Sequence, residues 1–152
     1  MRPTLALIVV AGALVAGAAS PDQLRPGLWE IRNVPETATL DGRRLEDLPL
    51  GEAPLQQVCV TPAEAARPAR WFARDTAENC TLTREAVANG RIDLSATCPP
   101  DAEGFDPGAM TLTGRWSSDR YDARFETRTH GENGRMGFSG RMTGRRVGDC
   151  PS

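Results

Sequence analysis

Alternation of apolar and polar residues with a period of two dominates the second half of this chain. Tyr121, Ala123, Phe125 and Thr127 interleave without a break with Asp122, Arg124, Glu126 and Arg128. Met110, Leu112, Gly114 and Trp116 interleave in the same way with Thr111, Thr113 and Arg115. A third run, residues 135–147, collects Met136, Phe138, Gly140 and Met142 on one face. Its parity shifts between Gly144 and Val147, which predicts a bulge. Each pattern predicts a half-buried strand, and Ser118-Asp119 and Asn133-Gly134 supply the turns between them.

The first half is less regular. Residues 28–34 read as a strand with Trp29 and Ile31 on one face, and residues 55–60 as a second. Residues 35–54 hold prolines, glycines and charges without a period; they predict a long loop with a short strand near Leu40. Thr61-Pro62-Ala63-Glu64 is a capping-box sequence with proline in the first turn. It predicts one short helix over 61–67, stopped by Pro68. Trp71 and Phe72 then fall in an irregular or one-turn segment that packs on the sheet.

Residues 80–87 and 91–98 predict a hairpin. A three-residue loop, Ala88-Asn89-Gly90, pairs Val87 with Arg91 and sets Cys80 directly across from Cys98. It also opposes Leu82 to Ala96 and Ala86 to Ile92. A two-residue Asn-Gly turn would instead put Thr81 against Cys98 and Glu85 against Leu94, dividing the apolar set. The first register is therefore expected. The whole predicts a mainly β fold: an antiparallel meander of about seven strands, forming a curled sheet or a small barrel.

The first 18 residues change the picture of where this domain works. Arg2 precedes an apolar and small run from Leu5 to Val15, followed by Ala16-Gly17-Ala18. This is the pattern of a cleaved export signal, with the cut after Ala18 or Ala19, and the run is shorter than the ~20 residues of a membrane span. The expectation is a single domain over 19–152, periplasmic or secreted, with no transmembrane span after processing. There is no lysine; 17 arginines beyond residue 18 face 20 acids. That slightly acidic balance gives no case for nucleic-acid binding.

In an exported chain, four cysteines read as two disulfides. Cys59, Cys80, Cys98 and Cys150 lack the close pairs of a zinc site, and the single histidine, His130, stands apart from them. No metal or cofactor is expected. The hairpin register pairs Cys80 with Cys98, which leaves Cys59 for Cys150.

Pro26-Gly27-Leu28-Trp29-Glu30, Cys59-Val60-Thr61-Pro62-Ala63-Glu64 and Gly144-Arg145-Arg146-Val147-Gly148-Asp149-Cys150, taken in order with Cys80 and Cys98, resemble a bacterial family. It is known only as domain-of-unknown-function family 3617. The resemblance covers the mature chain and implies a small exported protein with no assigned activity. The family's methionine-rich loop falls on residues 35–54, which contain no methionine. Gly27-Leu28-Trp29 also resembles the opening of lipocalin-type barrels, which implies an arginine of the closing strand, Arg145 or Arg146, stacked on Trp29.

Catalytic chemistry is not encoded in a usable form. His130 falls in a predicted hairpin tip, and Gly137-Phe138-Ser139-Gly140 lies in a strand without the helix a nucleophile elbow requires. The chain therefore reads as a non-catalytic envelope domain binding a partner or an apolar small molecule. Met110, Trp116, Phe125, Phe138 and Met142 are the candidate ligand face. The alternative is an inhibitor of a protease or lysozyme, presenting residues 19–26 or 35–54 as a projecting segment.

Overall fold

A computed structural model describes residues 23–47, 49–51, 53–77, 80–99, 106–131 and 134–151. The expected export signal lies outside the described residues. The elements are β1 (Gly27–Leu40), β2 (Arg43–Arg44), β3 (Gln56–Val60), α1 (Pro62–Ala65), α2 (Pro68–Ala77), β4 (Thr81–Ala88), β5 (Arg91–Thr97), β6 (Asp106–Trp116), β7 (Arg120–Gly131) and β8 (Gly134–Gly148). All eight strands form one antiparallel sheet ordered β2-β1-β8-β7-β6-β5-β4, with β3 also paired to β1. Two disulfides, Cys59–Cys150 and Cys80–Cys98, complete it.

The meander continues past its last strand by pairing β8 with the first strand, β1. A lipocalin-type barrel would close there and go no further. This sheet stays open, because β4 on one edge and β2 and β3 on the other do not pair with each other. The α1–α2 segment joins β3 to β4, and α2 lays its ring-bearing side against the sheet. Apolar area that a closed barrel would bury inside is buried under a helix instead.

Four local expectations are corrected. β1 does not end at Val34; it runs to Leu40, with a register shift between Pro35 and Thr37 that leaves Glu36 unpaired with β8. Pro35 is tolerated because β3 covers the outer edge of β1 only as far as Ile31 and β2 only from Thr39. Asp41 and Gly42, both at positive φ, then make the two-residue turn to β2.

The second correction concerns Pro68. It ends the first helix as expected, but it also starts a ten-residue helix that holds Trp71 and Phe72. α1 itself carries the full capping box between Thr61 and Glu64.

The third is the hairpin. Its turn is the two-residue Asn89-Gly90 type, φ 51° and 71°, pairing Ala88 with Arg91. A register shift between Leu82 and Arg84 leaves Thr83 as a bulge. That one extra residue restores the pairing of Leu82 with Ala96 and leaves Cys80 bonded to Cys98. Glu85 is left opposite Leu94, as the rejected register required, and stays exposed on the edge strand.

The fourth concerns Arg145 and Arg146, neither of which stacks on Trp29. Arg145 pairs with Glu30 at 2.7 Å, and Arg146 donates to the Pro26 carbonyl at 2.7 Å. The Trp29 ring is instead covered by Tyr121 and Trp71, at 6.2 and 5.7 Å between centroids. The expected bulge at Val147 is present: Leu28 pairs with Gly148 and Trp29 with Arg146, so Val147 is skipped.

The core lies between α2 and the proximal half of the sheet. Trp29 and Val60 are fully buried, with Ile31, Leu112, Trp116 and Tyr121 around them. Leu24, also buried, plugs this end; its amide donates to Ala65 O at 3.2 Å. Phe72 meets Tyr121 edge-on at 5.1 Å, and Tyr121 lies over Gly144 in the next strand, where a side chain would collide with the ring. Each ring buries on the order of 150–250 Å², so this cluster carries much of the fold's hydrophobic stabilisation.

Candidate functional site

Strand alternation divides the sheet into a helix-covered face and a helix-free face, and sorts the expected ligand residues onto the first. Trp116 is a core residue; Phe125 and Met142 are partly buried and pack against the core. Met110 borders a narrow space with Phe72, Leu82, Leu94 and Leu112, of about 10 Å³. That is about one water molecule. Phe138 is 37% exposed and borders a different, larger recess at the distal end of the sheet. The structure therefore does not gather the five into one cavity.

A larger recess lies on the helix-free face, at the distal end of β1, β8, β7 and β6. Its volume is about 580 Å³, within the range of ligand sites. Register explains how it forms. The cross-strand row Thr39, Gly137, Arg128, Ala109 makes the floor. Two of those four residues are too small to fill the space above them. A Cβ at Gly137 would come 2.6 Å from Thr39 Oγ1, so glycine also lets the threonine lean over the floor. One wall is the row Thr37, Ser139, Glu126 and the other is His130 with Arg135.

The end of this trough is braced by the β1–β2 turn. The Asp41 amide donates to Arg135 O at 2.8 Å, and the Arg135 amide donates to the Asp41 carboxylate at 2.9 Å. Glu126, in the wall with Thr37 and Ser139, pairs with Arg128 of the floor at 3.3 Å. Hydroxyls and guanidinium groups thus converge on one concavity, whose lining also includes the apolar Met136 and Phe138. The sequence signal for it was weak: Thr37, Thr39 and Asp41 fall in a segment without period, expected to be a loop.

Across the rest of this face, arginines and carboxylates form a lattice. Arg141 chelates Asp122, its Nε at 2.8 Å from Oδ1, and Arg124 reaches Glu36 at 3.3 Å. Arg84 pairs with Asp93 at 2.8 Å. The guanidinium hydrogen bond from Arg141 holds the Asp122 carboxyl below the usual carboxylate range, and that from Arg145 does the same to Glu30.

A nucleophile–base pair is not assembled here. His130 and Ser139 both line the trough, but Ser139 stands four residues along β8 from Arg135, the register partner of His130. That is roughly 13 Å of strand. All four cysteines are in disulfides. Of the segments expected to project, 35–40 are built into β1 and Asp41-Gly42 is braced against Arg135; 19–22 lie outside the described residues. Among the described residues no helix is long and apolar enough to cross a membrane, and no group of metal-ligating side chains forms.

No curated protein and no solved structure shows significant similarity to this chain. Residues 24–150, from the leucine that plugs the core to the final cysteine, match the model of the family described as protein of unknown function (DUF3617), and the chain belongs to that family.

Proposed function

We propose that this protein is a non-catalytic, exported domain of the cell envelope that binds a partner on the helix-free face of its sheet. The observation that carries this reading is the trough of about 580 Å³, with its converging Thr37, Thr39, Ser139, Arg128 and Arg135. It favours a polar partner over an apolar small molecule. Of the apolar candidates, Trp116, Phe125 and Met142 are committed to packing and the space left beside Met110 is about 10 Å³, so that only Phe138, with Met136, borders the recess. Export is supported by the apolar leader and by two disulfides, which persist in oxidising compartments. The hydrolase-inhibitor alternative has less support, because residues 35–40 lie within the sheet.

Native mass spectrometry of the protein purified from its own envelope tests the reading. A bound mass that disappears in Ser139→Trp, with both disulfides and the near-UV spectrum unchanged, is the expected result. A lipid-sized mass that Ser139→Trp leaves in place would overturn it, as would bare protein in both samples. Unchanged activity across a panel of periplasmic and host proteases and lysozymes removes the inhibitor role.

A further inference from the structure

We infer that the partner is an extended acidic glycan carrying carboxylate groups, laid along the strands of the helix-free face. This rests on the reading above and names the chemistry of its partner. The first ground is a charge imbalance that only the folded sheet creates. Outward positions described in β1 and β4–β8 carry ten arginines and five carboxylates, although the chain as a whole has more acids than bases.

The second ground is that three pairs of these arginines stand directly opposite each other: Arg91 with Arg115, Arg124 with Arg141, and Arg120 with Arg145. Like charges at directly opposed positions destabilise a sheet. Glu36, Asp122 and Glu30 offset part of this through Arg124, Arg141 and Arg145. Arg91 and Arg120 have no carboxylate partner among the described residues, and Arg115, although it stands opposite Asp122 on β7, makes no ion pair with it, since Asp122 is held by Arg141. A bound polyanion would relieve that repulsion, and the carboxylate pairs already present show the anion geometry these guanidinium forks accept.

The third ground is shape. From Arg120 to Arg128 is eight residues of β7, about 27 Å, ending in the hydroxyl-lined trough. Hydroxyls that donate and accept suit a sugar, and guanidiniums suit its acid groups. A flat lipid surface cannot enter the recess. A single-stranded nucleic acid calls for a series of aromatic platforms. The rings of Trp29, Trp71, Phe72, Trp116 and Tyr121 are instead packed with the core, and Phe138 alone borders the recess among the described residues.

Calorimetry with hexagalacturonate on the oxidised mature protein is the test. Binding that weakens as salt rises is expected, together with a loss of about three- to tenfold in Arg115→Thr. The same substitution removes both the charge facing Arg91 and the opposite charge facing Asp122, so Tm should move by less than about 2 °C. A merely structural arginine would move Tm without moving affinity. Arg67→Thr, away from this face, should change neither. Tighter binding to anionic vesicles or to a single-stranded oligonucleotide of equal charge would overturn the inference. Absence of any hexagalacturonate binding would overturn it too; if the Ser139-dependent mass persisted in that case, the partner site would stand and only the acidic-glycan identity would fall.

Discussion

Arg146 closes over the backbone of Gly27. Its Nε donates to the Pro26 carbonyl at 2.7 Å, and a Cβ on Gly27 would lie 2.6 Å from that nitrogen and against the Gly148 carbonyl. Gly27 also has φ +137°, outside the range of L side chains. The contact joins the first strand to the last beside the Cys59–Cys150 bridge, which ties β3, the neighbour of β1, to the residues just after β8.

Gly27→Ala should therefore destabilise the fold by about 2–4 kcal/mol, through crowding and backbone strain together. Urea unfolding should show a lower midpoint at unchanged slope. A loss under ~0.5 kcal/mol would mean Arg146 and Gly148 simply move aside, and the crowding argument fails.

Deleting Thr83 should leave the Cys80–Cys98 bridge intact. Removing the bulged residue makes β4 regular, while Leu82 stays opposite Ala96 and Cys80 keeps its place. Non-reducing peptide mapping checks this. An extra residue inserted after Ala88 should instead misalign the cysteines and yield free thiols. Loss of the bridge in the deletion variant contradicts the observed register.

The two bridges should differ in strength. Cys59–Cys150 spans 91 residues and Cys80–Cys98 spans 18. Loop-closure entropy gives about 4–5 kcal/mol for the first and about 3 for the second. Paired Cys→Ser variants compared by chemical denaturation should follow that order; the reverse order would show that native packing, not chain entropy, sets the difference.

Acid should weaken the fold in a window set by three depressed carboxyls. The Thr61 amide donates to Glu64 at 2.8 Å and holds it below its ordinary value; Arg141 and Arg145 do the same for Asp122 and Glu30. A carboxyl lowered on folding contributes stability that is fully present above its unfolded pKa, about 4, and is lost as pH falls through the lower folded value. Stability should be flat from about pH 7 to 5 with respect to these groups and decline below. Because all three are exposed or partly so, each effect is modest. Asp122→Asn should flatten part of the decline; an unchanged acid limb would show that Arg141 contributes nothing there.

Local chemistry was decisive wherever neighbours in sequence are neighbours in space. Alternation at 109–116, 121–129 and 135–147, the Thr61–Glu64 cap and the Val147 bulge all follow from residue spacing, because side-chain period and turn geometry act over a few residues. The Cys80–Cys98 pairing does not follow from spacing alone: the two-residue turn would set Thr81 against Cys98, and the bulge at Thr83 brings the two cysteines together. Pro35 and Pro68 were misread for a related reason. A proline excludes a backbone hydrogen bond but does not say whether one was needed, and that depends on which strand lies alongside or which helix begins.

What only the tertiary structure decided is adjacency. The open edge between β3 and β4, the helix that covers half of one face, and the bulge at Thr83 arise from competition between distant segments for the same buried area. So does the gathering of arginines from six strands onto one surface: alternation fixes which side each faces, but strand order fixes which arginine it meets. Burial and charge repulsion act through space, and spacing along a chain encodes them only where the chain turns straight back on itself.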